Sequence, residues 1–122
     1  MARTKTTDYS DSINCPIAYT ISIFEGKWKW LLIYVLSEEG TMRYGELKKC
    51  LPSITHKMLS QQLKGLEKLG LISRKVYHQI PPKVEYTLTQ KGSSLLPILD
   101  LMCTWGAKHD PTWKKGSNSR QG

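Results

Sequence analysis

Apolar positions recur along this chain with two periods, and the change from one to the other lays out its elements. Within residues 51–72, LPSITHKMLSQQLKGLEKLGLI, a turn of about 100° per residue brings Leu59, Leu63 and Leu66 into one narrow arc. Lys57, Ser60, Gln61, Lys64 and Lys68 fall on the opposite side. Thr55 stands just before this pattern with a hydroxyl able to accept a free backbone N–H, and Gly70 stands just after it. The spacing predicts a helix of about four turns, greasy on one face and basic and amide-bearing on the other.

Upstream, Asn14-Cys15-Pro16 reads as a helix start, with Pro16 in the first turn where its missing N–H costs nothing. That helix carries Ile17, Ile21 and Phe24 and stops near Gly26. A second helix places Trp28, Leu31, Leu32, Val35 and Leu36 on one face, while Trp30, Ile33 and Tyr34 make much of the remainder apolar. Such a helix is expected to be covered from more than one side, which points to a partner subunit. Residues 41–43 read as a short extended piece, and YGELKKCL as two helical turns with Leu47 and Leu51 inward, ended by Pro52.

Short helix, turn at 52–54 and longer helix make a helix-turn-helix, whose second helix can enter a major groove. Residues 71–78 then read as a strand, 79–83 as a proline-containing turn, and 84–88 as the returning strand. A hairpin in that place is a wing. The last helix is expected over residues 90–109 after Thr89, with Leu95, Ile98, Leu99, Met102 and Trp105 as its apolar stripe and Pro97 bending or breaking it. The fold class is thus mainly α with a small β-hairpin wing (α+β): a winged helix-turn-helix over residues 14–109, with disordered tails at 1–13 and 110–122.

Composition narrows the setting. The 122 residues fit one domain with a core that needs no disulfides. The apolar run Leu31 to Leu36 is far shorter than the ~20 residues of a span, so no membrane span is expected, and the polar first fourteen residues do not read as a secretory signal. A cytoplasmic protein is expected. Cys15, Cys50 and Cys103 are far apart with no Cys-x-x-Cys pair, which argues against a zinc cluster or a secreted disulfide framework.

Charge changes the picture more. Of the net +8, residues 41–91 hold +7, with ten Lys or Arg against three acids. Residues 1–40 carry −1 and residues 92–122 carry +2. A positive field gathered around the long amphipathic helix is the footprint of a polyanion binder.

The candidate chemistry follows from those side chains. Gln61 can pair in two places with adenine, and Lys57 or Lys64 can reach guanine acceptors. Arg74, Lys75 and Lys83 on the wing would lie near phosphates or the adjacent minor groove, with affinity that falls steeply with salt. An enzyme is not expected: His56, His78 and His109 have no metal-ligand spacing, and there is no phosphate-cradling glycine loop or nucleophile elbow. No metal or cofactor is expected. A winged helix that binds protein instead of DNA is the alternative, since a fold alone does not imply DNA contact. RNA fits less well, because the reading face lacks aromatics for base stacking.

The runs CPIAYTISIFEGKWKWLLIYVL, MRYGELKKCLPSITHKMLSQQLKGLEKLGLISRKVY and IPPKVEYTLTQKGSSLLPIL, with Trp105-Gly106 beyond them, closely resemble the HxlR family of bacterial winged-helix transcription regulators. The resemblance covers residues 14–109. It implies a homodimer, formed mainly by the first and last helices, on a two-fold symmetric DNA operator. The implied interface holds Ile17, Ile21, Leu95, Ile98, Leu99, Met102 and Trp105. Position by position, the implied operator readers are Thr55, His56, Lys57, Ser60, Gln61 and Lys64, with the wing from Arg74 to Lys83, and Arg43 joins the DNA-facing set. Glu25 stands where glycine is common, and His56-Lys57 where a Gln-Arg pair is more usual; the second change touches the reading face, so the family does not transfer an operator sequence to this chain.

Some members of that family respond to oxidants or electrophiles through a cysteine near the start of the first helix. Cys15 occupies that neighbourhood, at the positive end of its helix where a thiolate is favoured. Cys50 of the other subunit is a candidate resolving partner. The three cysteines equally suit small, inert packing positions. No small-molecule effector is identified.

Overall fold

A computed structural model describes residues 8–11 and 15–114 of the chain. Asn14, and the tails expected at 1–13 and 110–122 apart from residues 8–11 and 110–114, lie outside the described residues.

Helix α1 (Pro16–Ile23) starts with Cys15 in the cap position and proline in its first turn. Helix α2 (Trp28–Glu39) follows, then the two-residue strand β1 (Met42–Arg43) and helix α3 (Tyr44–Cys50). The Arg43 backbone N–H donates to Glu46 Oε1 at 2.8 Å, satisfying a donor that the first turn of α3 would leave free. Helix α4 (His56–Lys68) begins as expected: Thr55 Oγ1 accepts from the Met58 N–H at 3.0 Å. After it, Gly70 takes φ +76°, a left-handed turn that a side chain would resist, and delivers the chain into strand β2 (Ile72–Tyr77).

The core is one layer of helices against one sheet. Leu59, Leu63 and Leu66 of α4 are buried, as the spacing predicts. They belong to one cluster with Leu32, Ile33 and Leu36 of α2, Leu47 of α3, Ile54 of the turn, and Leu71 and Ile72 at the start of β2. On α2 the buried face is rotated from the expected one: Ile33 is fully covered, while Leu31 and Val35 are only half-buried. Helix α4 and the sheet both pack against α2. The core wraps α2 on the side that holds residues 32, 33 and 36, and leaves Trp30 partly open.

The wing is larger than a hairpin. Strand β3 (Lys83–Leu88) pairs antiparallel with β2 from Ile72↔Leu88 to Tyr77↔Lys83, and also with β1 through Met42↔Tyr86 and Arg43↔Glu85. The order β1-β3-β2 therefore ties the start of the helix-turn-helix to the wing that follows it. Lys83, expected in the turn, is instead the first residue of β3.

A second correction concerns the end of the chain. One helix over 90–109 is expected, but two form: α5 (Gln90–Ser93) and α6 (Leu96–His109). The break lies at Ser94 and Leu95, upstream of Pro97, which sits comfortably in the first turn of α6. Thr89 does cap, with Oγ1 accepting from the Gly92 N–H at 3.0 Å, but it caps the short α5. Its own hydroxyl donates to the Gly70 carbonyl at 2.6 Å, pinning α5 beneath the α4–β2 junction. No helix among the described residues is long and apolar enough to cross a membrane.

Candidate nucleic-acid interface

Helix α4 presents the candidate reading face because its inner leucines fix its rotation. With Leu59, Leu63 and Leu66 inside, His56, Lys57, Gln61, Lys64 and Lys68 are all exposed. Thr55, whose hydroxyl is occupied as the cap, is exposed at the same end. Behind α4, Lys29 Nζ donates to Gln62 Oε1 at 3.0 Å, and Gln62 Nε2 reaches Met58 Sδ at 3.2 Å. These contacts brace α4 against α2, and among the described residues no ion pair neutralises Lys57 or Lys64.

Ser60 departs from the expected exposed set. It is half-buried, and its hydroxyl lies 3.4 Å from the hydroxyl of Tyr44, the first residue of α3. The same phenol reaches His56 Nδ1 at 3.0 Å. Tyr44 thus joins both helices of the helix-turn-helix, a role that no helical spacing signals because its partners stand twelve and sixteen residues away.

The wing gathers charge of both signs. Arg43, Arg74 and Lys75 are exposed. Lys83 is not a free tip residue: its ammonium lies 3.6 Å from Glu85 and 4.4 Å from the centre of the Tyr77 ring. Lys75 lies over the same ring at 4.9 Å. The Tyr77 hydroxyl donates to Glu85 Oε1 at 2.9 Å. That hydrogen bond is the chief reason the Glu85 carboxyl is held below the usual carboxylate range; desolvation opposes it, and Lys83 and then Arg43 add to it. Glu85 therefore sits as an anion between Arg43 on one neighbouring strand and Lys75 on the other, a feature that alternation along β3 does not reveal.

The expected interface residues divide in two. Ile17, Ile21, Ile98, Met102 and Trp105 are exposed, Ile17 at 69% and Trp105 at 66%. Leu95 and Leu99 instead point into the core of their own chain, at 8% and 9% exposure, because the break before α6 turns that side of the helix inward. Leu101, not among the expected set, is 71% exposed beside Met102. Of the thiols, Cys15 is half-buried at the start of α1 and Cys50 is exposed at the end of α3.

Comparison with known proteins gives a consistent picture. The model of the HxlR-like helix-turn-helix family matches residues 23–113. The chain is 53% identical over 94 residues to the uncharacterized HTH-type transcriptional regulator BH0655 of Halalkalibacterium halodurans, covering 77% of this chain and 83% of that one. Among solved structures, the redox regulator HypR in its oxidized form superposes with a TM-score of 0.69 at 46% identity, over 77% of this chain and 96% of the other. The reduced form of the transcriptional regulator YodB from Bacillus subtilis superposes with a TM-score of 0.74 at 34% identity, over 82% and 98%.

Proposed function

The chain belongs to the HxlR-like helix-turn-helix family and is a transcriptional regulator of the helix-turn-helix type, and from that premise we propose that it acts in the cytoplasm as a homodimer on a two-fold symmetric double-stranded DNA operator. One observation carries this reading: α4 is capped, braced from behind and rotated by its buried leucines so that Lys57, Gln61 and Lys64 face solvent together. In the major groove Gln61 would pair with adenine, and Lys57 or Lys64 with guanine acceptors. Arg43, Arg74 and Lys75 would lie on phosphates, with Lys83 joining them once drawn from Glu85. The exposed apolar residues of α1 and α6 support a dimer whose two α4 helices stand about 34–36 Å apart, or a multiple of that spacing.

The signal we propose is an oxidant or electrophile acting on Cys15. A peroxide or hypohalite would convert the Cys15 thiolate to a sulfenic acid. The Cys50 thiolate of the other copy would then attack that sulfur, releasing water and forming a disulfide. The presence among the similar structures of the redox regulator HypR in its oxidized form, and of the transcriptional regulator YodB in its reduced form, supports this reading.

The test is a titration of the reduced protein against DNA from its own upstream region and against a random duplex of equal length, at two salt concentrations, repeated after mild oxidation. Preferential binding to the upstream fragment that weakens steeply with salt is expected, as is a change in affinity on oxidation that Cys15→Ser abolishes. Equal binding to both duplexes removes the operator reading. An unchanged oxidant response in the Cys15→Ser protein removes the cysteine reading alone.

A further inference from the structure

One phenol outside the core joins the two helices of the helix-turn-helix. Tyr44 opens α3 and His56 opens α4. The Tyr44 hydroxyl oxygen lies 3.0 Å from His56 Nδ1, 3.2 Å from the His56 carbonyl oxygen and 3.4 Å from Ser60 Oγ. The two rings are close to parallel, 15° between planes with centroids 5.8 Å apart.

Counting protons assigns the tautomer. A tyrosine hydroxyl has one proton to donate and accepts through its lone pairs. The carbonyl oxygen only accepts, so it takes the Tyr44 proton. The Tyr44 oxygen then accepts from the His56 Nδ1–H and from the Ser60 hydroxyl, and all three contacts are satisfied together. The reverse assignment, with the Tyr44 proton pointing at Nδ1, sets two oxygens 3.2 Å apart with no proton between them. The neutral imidazole therefore carries its proton on Nδ1 and leaves a bare lone pair on Nε2, on an exposed side chain at the tip of the reading helix.

We propose that Tyr44 is a positioning residue that holds His56 in the Nδ1–H form, so that Nε2 reads the exocyclic amino group of adenine or cytosine in the major groove. The proposal rests on α4 being the DNA-reading helix. Adenine N6 and cytosine N4 are the donors on the major-groove edge, whereas guanine O6 and N7 and thymine O4 accept. A bare Nε2 matches the first pair, and it is repelled by the second and by phosphate oxygens. The other tautomer would reverse that preference. A hydroxyl that touches no base thus restricts one position of the operator to a base that offers an amino group, adenine or cytosine.

Tyr44→Phe tests this directly, because it keeps the ring and removes only the oxygen. Nitrogen-15 spectra of the imidazoles are recorded on the free, full-length protein in mildly alkaline buffer, with His56 assigned by its loss in His56→Gln. Wild type is expected to show a protonated Nδ1 and a bare Nε2. Tyr44→Phe is expected to move His56 toward the Nε2–H form that an unconstrained imidazole favours. A wild-type Nε2–H signal, or a Tyr44→Phe spectrum identical to wild type, overturns the proposal. Both proteins are then titrated with duplexes in which each operator base pair is varied in turn. Tyr44→Phe is expected to lose a preference on the order of tenfold at one pair per half-site while keeping its salt dependence. Preference retained at every pair overturns the base contact. Should wild type prefer no duplex although both spectra come out as expected, the operator reading is what fails and the tautomer assignment stands.

Discussion

Single residues on α4 divide between affinity and discrimination, and the two are separable by experiment. Gln61 is exposed, uncharged and offers both a donor and an acceptor, so its contribution to binding depends on the base it meets. Lys57 and Lys64 are exposed point charges, and on the proposed operator they would neutralise phosphates whatever bases they reached. Gln61→Ala is therefore expected to weaken binding to the upstream fragment by on the order of tenfold while leaving binding to a random duplex unchanged. Lys57→Ala is expected to weaken both and to lower the slope of log affinity against log salt by about 1. Equal losses on both duplexes for Gln61→Ala would remove it from base reading. The polar face that makes these assignments was legible in the sequence because helix period alone separates it from Leu59, Leu63 and Leu66. Tyr44 was not legible as a site residue: only folding α3 back on α4 brings its hydroxyl to His56 and Ser60.

At the level of elements, local signals lie in the sequence and non-local pairings do not. Thr55, Gly70 and the leucine spacing define α4 within the chain itself, and the structure places its cap where the sequence puts it. Strand β1 has only two residues, and nothing in Met42-Arg43 says that they pair with Tyr86 and Glu85 across more than forty positions. That pairing puts Glu85 among Arg43, Lys75 and Lys83, where it offsets positive charge on the wing. Glu85→Gln keeps the shape and removes the anion. Affinity for a random duplex is expected to rise and the salt slope to steepen by about 1, which fluorescence titration at several salt concentrations would show. An unchanged slope would mean that the wing stays off the phosphates. The break between α5 and α6 is equally invisible to apolar spacing, and so is the close approach of the α5 backbone to the α4–β2 junction. Gly92 packs so tightly against the α4–β2 junction that an added Cβ would collide with the Leu71 carbonyl oxygen and lie 3.2 Å from Leu88 Cδ2. The Leu71 carbonyl is backbone and cannot give way, whereas the end of the Leu88 side chain need shift only slightly. Gly92→Ala is expected to destabilise the protein by about 3 kcal/mol, read as a shift in the urea unfolding midpoint. A midpoint equal to wild type would show that α5 moves freely.

For the whole molecule, the exposed apolar residues are the unfinished part of the fold. Ile17, Tyr19 and Ile21 on α1 and Leu101, Met102 and Trp105 on α6 are each more than half exposed, while the core closes without them. Isolated apolar side chains on a surface need no explanation, but large ones repeated along two helices favour a covering partner. The second copy of the chain proposed above would also serve function, because two α4 helices on one rigid body would bind a symmetric site far more tightly than either alone. Leu101 and Met102 touch this surface without belonging to the buried core, so charging them should leave the monomer folded. The double substitution Leu101→Glu and Met102→Glu is expected to yield a monomer in sedimentation equilibrium, with a circular dichroism spectrum like that of wild type. Its affinity for the upstream fragment is expected to fall by about 100-fold or more, since each half-site would then be bound independently. A variant that stays dimeric would move the interface away from α6. A monomer that binds the operator as tightly as wild type would instead separate assembly from DNA reading, and leave α1 and α6 to some other partner.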